Sequence, residues 1–467
     1  SNAHFYDFQF RFKKNGKKSV IIHQTRPPTM FVSTIQKRIL YWKSSRSLTS
    51  LLAGQRRSFS VKPEEEEEKK VEEWVDCSVV SEDDALQDEY GHMDDSGLTF
   101  TTKELQLDCG ETLVDAQLRY RSWGTLNEKK DNAIVVCHAL TGNAALDDWW
   151  GSFLGDGLPF DTSKYFIVCS NLLGSCYGTT GPTSINPATG EKYGPDFPLV
   201  TVRDAVRLQK LMLREQEGVK SVKCVIGGSL GGMQTLEWLF DDNDPLHQEG
   251  DAPYVRSAIP MACGLYHHTW QIATSELQRQ ALYADPNFLN GNYEKQPATG
   301  LSLARQIAMV SYRSHQAYDD KFGRRRVNEA GDEVEEVGES LDAPFSVEKY
   351  LTYQGEKFIS RFDANSFLTL TRLMDTHNIG RDRGNTTDAD GNVRGSVAEA
   401  ANSLVQPVHV VGIDSDALYP ISEQEDLAKA LPFSELSIIR NNDGHDGFLL
   451  AQDAIAPIIR AFLEEHD

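Results

Sequence analysis

Cysteine is scarce and unpaired in this chain. The seven cysteines (Cys77, Cys109, Cys137, Cys169, Cys176, Cys224, Cys263) are scattered over 467 residues with no CxxC pair. That spacing argues against a disulfide framework or a zinc site and suits a reducing compartment. Cys137, Cys169 and Cys224 lie in or beside apolar runs, where a free Cys acts as a small buried hydrophobe. No stretch of 18 apolar residues occurs, so no transmembrane helix is expected. No GK[ST] follows a glycine-rich turn, which excludes a phosphate-cradling P-loop in its usual form. Positive charge is also short: the net charge is −22, whereas a nucleic-acid partner needs a basic face.

The longest stretch without an acidic residue lies near the start of the chain. Residues 30–60, MFVSTIQKRILYWKSSRSLTSLLAGQRRSFS, contain none and are rich in Arg, Lys and Ser, with Leu and Ile spaced for an amphipathic helix. Across residues 1–63, thirteen Lys/Arg face the single acid Asp7, a local charge of +12 that leaves −34 for the rest. This is the composition of a transit peptide, and the RRSFS ending resembles a matrix-protease cleavage region. A mitochondrial location is the expectation, with a cytoplasmic one as the alternative. Met30 is a candidate start, which would make residues 1–29 upstream or vector sequence. The run Glu64–Glu68 and the polar stretch to about Gly97 read as a solvated linker.

From about Leu98 the pattern changes. Ala133–His138 and Tyr165–Ser170 are short, apolar, β-branched runs that read as buried parallel strands. Thr201–Glu217 reads as a helix with Val202, Ala205, Val206, Met212 and Leu213 on one face and Gly218 as its stop. Lys223–Ile226 is a further strand, followed by glycines and the helical stretch Met233–Phe240; Tyr254–Met261, Pro407–Ile413 and Glu435–Arg440 also have strand character. Alternation of this kind predicts a mostly parallel sheet covered on both faces. The interval from His267 to Ala400 breaks the rhythm. It is helix-rich and polar, includes the acidic piece Val327–Gly338, and reads as a helical cap inserted between core strands. The expected organisation is a basic segment 1–62, an acidic linker 63–97, core 98–266, cap 267–400 and core 401–467.

Gly227-Gly228-Ser229-Leu230-Gly231 is a G-x-S-x-G between a predicted strand and a predicted helix. Such a turn is so tight that side chains two residues either side of the serine would collide, so glycine is needed at 227 and 231. It presents a nucleophilic Ser229 with the Leu230 N–H behind it as an oxyanion donor. In this fold the second donor lies in the loop after an early strand, which assigns the Leu140 N–H of Cys137-His138-Ala139-Leu140 and leaves His138 structural. A serine needs a base held by a carboxylate, in the chain order Ser, acid, His. His409 lies mid-strand, and His315 and His377 fall within the cap. His445, on a glycine-flanked loop after a strand, is the base the order selects. The strand end at 412–418 offers two acids, Asp414 and Asp416.

Together, CHALTG (137–142), NLLGSCYGTTGPTSINPATGEKYGPDFP (171–198), VIGGSLGGMQTLEW (225–238), ELQRQAL (276–282), YRSHQAYDDKFGRR (312–325), RFDANSFLTLT (361–371), DSDALYP (414–420) and GHDGFLL (444–450) resemble the homoserine O-acetyltransferases. The likeness runs colinearly over residues 98–467. It implies the α/β-hydrolase fold and prefers Asp416 as the acid. It also implies acetyl-CoA as co-substrate with no bound cofactor and no metal, L-homoserine as acceptor in methionine biosynthesis, and a ping-pong path through an acyl-serine. In the family a cap arginine holds the amino acid's carboxylate and the Asp after the catalytic His holds its ammonium; these match Arg279 and Asp446. A homodimer formed through the cap is implied as well. Close relatives acetylate L-serine or use succinyl-CoA, and an esterase or thioesterase would use the same triad with water.

Overall fold

The computed structural model describes residues 97–466, except 249, 336–337, 385 and 388–392. The basic segment 1–62 and all but the last residue of the acidic linker lie outside the described residues.

Eight strands make one sheet: β1 (Leu98–Gln106), β2 (Thr112–Trp123), β3 (Ala133–Cys137), β4 (Phe166–Ser170), β5 (Val222–Gly228), β6 (Ala258–Met261), β7 (Val408–Ile413) and β8 (Ser434–Ile439). Their order is β1-β2-β4-β3-β5-β6-β7-β8. From β4 to β8 every pairing is parallel, whereas β2 runs antiparallel to both β1 and β4. This is the α/β-hydrolase architecture. Alternation along the strands divides the core in two. Ala133, Val135, Phe166, Val168, Val222 and Val225 face one layer of helices, and Ile134, Val136, Ile167, Cys169, Cys224 and Ile226 face the other.

The first layer contains α1 (Val202–Glu215) and α2 (Leu230–Trp238). Thr201 starts α1 with a reciprocal capping box to Asp204, and Gly218 follows it at φ 68°. The sequence predicted one buried face for α1, but Gln209 and Lys210 are buried too. They are tolerated because they are bonded: Gln209 to Gln234 and Trp238, and Lys210 Nζ to the Phe240 carbonyl and Asn243.

Between β6 and β7 the chain builds α3 (Thr269–Tyr283), α4 (Ala298–Tyr312), α5 (His315–Phe322), α6 (Ser346–Ile359) and α7 (Ala364–Asp375). This region is not purely helical. Arg326–Val327 pairs antiparallel with Glu333–Val334 inside the acidic piece, and Thr386–Thr387 pairs with Val393–Arg394. The first hairpin turns where three hydrogen bonds join Asn328 and Asp332 and Gly331 takes φ 96°; such turn chemistry is short-range and survives in an acidic stretch. After β7 come α8 (Ile421–Ala430) and α9 (Gln452–Glu465), and Ile455, Ile459, Phe462 and Leu463 of α9 fill the second layer.

Candidate active site

The site begins with a strained residue. Ser229 sits between β5 and α2 at φ 60°, ψ −124°, a conformation that costs a non-glycine residue on the order of 1–3 kcal/mol. The glycines around it answer to sterics. A Cβ on Gly231 would lie 2.1 Å from the Cys137 carbonyl oxygen, and one on Gly227 would lie 2.5 Å from the Gly231 carbonyl oxygen. Gly228 is constrained as well, by the ring of Phe448 at 2.2 Å, which the motif alone does not reveal.

His445, on the loop after β8, places Nε2 2.8 Å from Ser229 Oγ and Nδ1 2.7 Å from Asp416 Oδ2. Asp416 Oδ1 accepts the backbone N–H groups of Leu418 and Tyr419, each at 2.8 Å, so the carboxylate cannot turn away. A carboxylate at Nδ1 keeps that proton there and leaves Nε2 to accept from the serine hydroxyl. Asp414 points elsewhere; its Oδ1 accepts from the Asn441 N–H at 3.2 Å. Burial disfavours the imidazolium of His445, but Asp416, with Asp446 adding, outweighs it and raises the pKa. Aromatic rings enclose the imidazole: Tyr419 stacks on it at 5.1 Å, with Phe448 at 5.5 Å and Tyr312 at 6.0 Å.

Leu140 lines the same cavity, and its N–H makes no hydrogen bond to a described residue. The Leu230 N–H belongs to the first turn of α2, where no intrahelical acceptor exists. His138 is buried with Nδ1 2.7 Å from the Ala139 carbonyl, and burial lowers its pKa to about 4. His409 contacts Ser437, His377 contacts the Gly264 carbonyl and His315 is paired with Asp319 on the surface; none reaches Ser229.

The structure does not bring Arg279 and Asp446 into contact. Arg279 on α3 is buried, with Nε 2.9 Å from Glu276 and Nη2 2.8 Å from Asp375, while Nη1 has no partner. Asp446 lies 3.6 Å from Arg313. Burial raises its pKa against the opposing charges of His445, Arg313 and Arg305.

The cavity at Ser229 has a volume of about 20 Å³ and is lined by Leu140, His267, Gln271, Gln278, Tyr312 and Tyr419, among others. Sequence reasoning passed over His267, whose Nδ1 is 3.0 Å from the Tyr419 hydroxyl, and the two glutamines. Tyr312, Tyr419 and Gln278 do fall inside the matched motifs. His267 and Gln271 carry no local signal beyond the break in strand rhythm.

Among known families, one described as "alpha/beta hydrolase fold" matches residues 132–452. The homoserine O-acetyltransferase of Chlorobium luteolum is 44% identical over 365 residues, covering 78% of this chain and 92% of that protein. That of Salinibacter ruber is 45% identical, covering 77% and 96%, and that of Nostoc punctiforme 46%, covering 77% and 93%. Among solved structures, the homoserine O-acetyltransferase of Bacillus anthracis superposes with TM-score 0.68 at 25% identity, covering 79% of this chain and 97% of that one. The esterase E22 superposes with TM-score 0.66 at 24% identity, covering 79% and 99%, a likeness of fold alone.

Proposed function

The chain belongs to the homoserine O-acetyltransferase family of α/β-hydrolase-fold enzymes, and on that footing we propose that it transfers an acetyl group from acetyl-CoA to the side-chain hydroxyl of L-homoserine. The product would feed methionine biosynthesis. The observation that carries this reading is the relay from Ser229 through His445 to Asp416, at 2.8 and 2.7 Å, on a strained strand-to-helix turn.

In the first half-reaction Ser229 Oγ attacks the thioester carbonyl carbon as His445 Nε2 takes its proton. The Leu140 and Leu230 N–H groups hold the negative oxygen. The carbon–sulfur bond then breaks and His445 returns the proton to the departing thiolate. In the second, the homoserine hydroxyl gives its proton to His445 and its oxygen attacks the acyl carbon. The bond to Ser229 breaks, and the proton passes back to Oγ. Asp416 holds the imidazole and balances its charge in both halves. Arg279 would bind the acceptor's carboxylate and Asp446 its ammonium. The unpartnered Nη1 of Arg279 supports its part, since a zwitterion entering a buried site needs one fixed cation and one fixed anion.

A substrate matrix of homoserine and serine against acetyl-CoA and succinyl-CoA tests the reading. Acetyl-CoA alone should give a burst of CoA stoichiometric with enzyme, and steady turnover should need homoserine. Steady CoA release without an amino acid would make the protein a hydrolase instead. Two further parts of the proposal rest on other features. Exposed apolar residues of the cap (Trp270, Leu277, Leu303, Val310) support a homodimer, which sedimentation will test. The acid-free segment 30–62 supports a mitochondrial location, on which the bacterial relatives are silent; a fluorescent fusion of that segment staying in the cytosol would remove it.

A further inference from the structure

Buried polar groups without partners gather around the Ser229 cavity. His267 Nε2, Gln271 Oε1, Gln278 Oε1, Arg279 Nη1 and Asp375 Oδ1 are all buried without a hydrogen bond among the described residues, although His267 Nε2 and Asp375 Oδ1 face each other at 3.7 Å. Native proteins leave few such atoms, and each calls for an explanation. Three of these residues, His267, Gln271 and Gln278, line the cavity directly.

The two glutamines differ in a useful way. Gln271 and Gln278 are seven positions apart on α3, two helical turns, and so share a face. Gln271 is anchored: its Nε2 donates to the Leu418 carbonyl at 2.7 Å and to Glu423 Oε2 at 2.8 Å. That fixes its amide orientation and leaves Oε1 turned to the cavity as an acceptor. Gln278 is only 3% exposed, and its Oε1 is buried with no hydrogen-bond partner among the described residues. The next residue, Arg279, has its Nη1 buried without a hydrogen-bond partner among the described residues.

A buried carboxamide with no partner is a standing penalty on the fold. Methionine would fill the same space without that cost. We propose that Gln278 determines acceptor specificity: its carboxamide oxygen, seconded by Gln271 Oε1, accepts hydrogen bonds from the ammonium group of the acceptor. An amide oxygen meets an ammonium N–H without adding charge. A site that hydrogen-bonds a substrate group rejects an analogue lacking it, because its own buried groups are then left unpaired. The assignment rests on the transferase reading above and names the part of the substrate that this wall reads.

The experiment compares the full chain with Gln278→Met, using homoserine and its deaminated analogue 4-hydroxybutyrate as acceptors for acetyl-CoA. For Gln278→Met, kcat/KM for homoserine should fall by about 10- to 100-fold, chiefly through KM. The preference for homoserine over 4-hydroxybutyrate should narrow by a similar factor. At the same time its Tm should hold or rise, because an unpaired buried polar group has been removed. A purely structural glutamine would show the opposite pattern, with a lower Tm and an unaltered preference between acceptors. That result, or an unchanged KM for homoserine, overturns the assignment alone. Failure of the unsubstituted chain to acetylate homoserine overturns the functional reading and this assignment with it.

Discussion

At the scale of single residues, the relay makes demands that substitutions can separate. Ser229→Ala should lose acyl transfer by a factor on the order of 10⁶ while retaining the fold. Peptide mass spectrometry after incubation with acetyl-CoA should place the acetyl mark on Ser229 in the unsubstituted chain. Asp416→Asn should cost up to roughly 10⁴ in kcat, because an amide at 2.7 Å from Nδ1 neither holds the tautomer nor balances imidazolium. Asp414→Asn should be mild, since Asp414 serves only the Asn441 N–H; the reverse ranking would transfer the role. The pH profile follows from the sign of the His445 shift. A base works only when deprotonated, and Asp416 raises its pKa above the ordinary histidine value of about 6.5. Activity should therefore fall with slope one on the acid side, with its midpoint above 6.5. A midpoint below that value would contradict the Asp416 contact.

At the scale of elements, a buried ionic junction ties the core to the segment after α7. Arg383 makes two bonds to Glu237 of α2, at 2.5 and 2.9 Å, and two to Asp242, at 2.6 and 2.7 Å. Arg203 of α1 adds a bond to Glu237 at 3.2 Å. Burial opposes ionisation of Glu237, but Arg383 and then Arg203 win and hold its pKa at about 2, well below the ordinary glutamate range. A depressed carboxylate pKa stabilises the fold fully above its unfolded value. That contribution drains away as pH falls from about 4.5 towards 2. Arg383→Met should destabilise by about 3–5 kcal/mol in urea unfolding, because it leaves a buried carboxylate with only Arg203 and Asn243 in place of its two strongest bonds. A loss under 1 kcal/mol would mean that water reaches Glu237. No sequence pattern announces this junction: its members lie 146 positions apart and each reads locally as a surface charge.

At the scale of the whole molecule, legibility of the first five strands tracked burial, whereas β8 was legible although only Ile439 of it is buried. β3, β4 and β5 are buried at every position, so they stand out as apolar, β-branched runs. β1 and β2 escaped notice because each is mostly exposed or half-exposed. Only Phe100 and Leu105 of β1 are buried, with Thr101, Thr102, Lys103 and Glu104 between them. The turn at Ser229 was legible because its sterics are local, whereas the lining supplied by α3 depends on how the cap is laid over the strand ends. His267 and Gln271 acquire meaning only in that arrangement. The same arrangement sets the traffic. A cavity of about 20 Å³ has room for roughly one water molecule, so it must widen to admit either substrate. On the acyl-serine path proposed above, donor and acceptor would use this one doorway in turn, and each would be an obstacle when it arrives out of order. Initial-rate plots should give parallel lines at modest concentrations. Excess homoserine should then inhibit competitively against acetyl-CoA, and a converging pattern would show that the two are held at once. An enzyme working this way would respond to the ratio of its two substrate pools, and a surplus of either one would slow it.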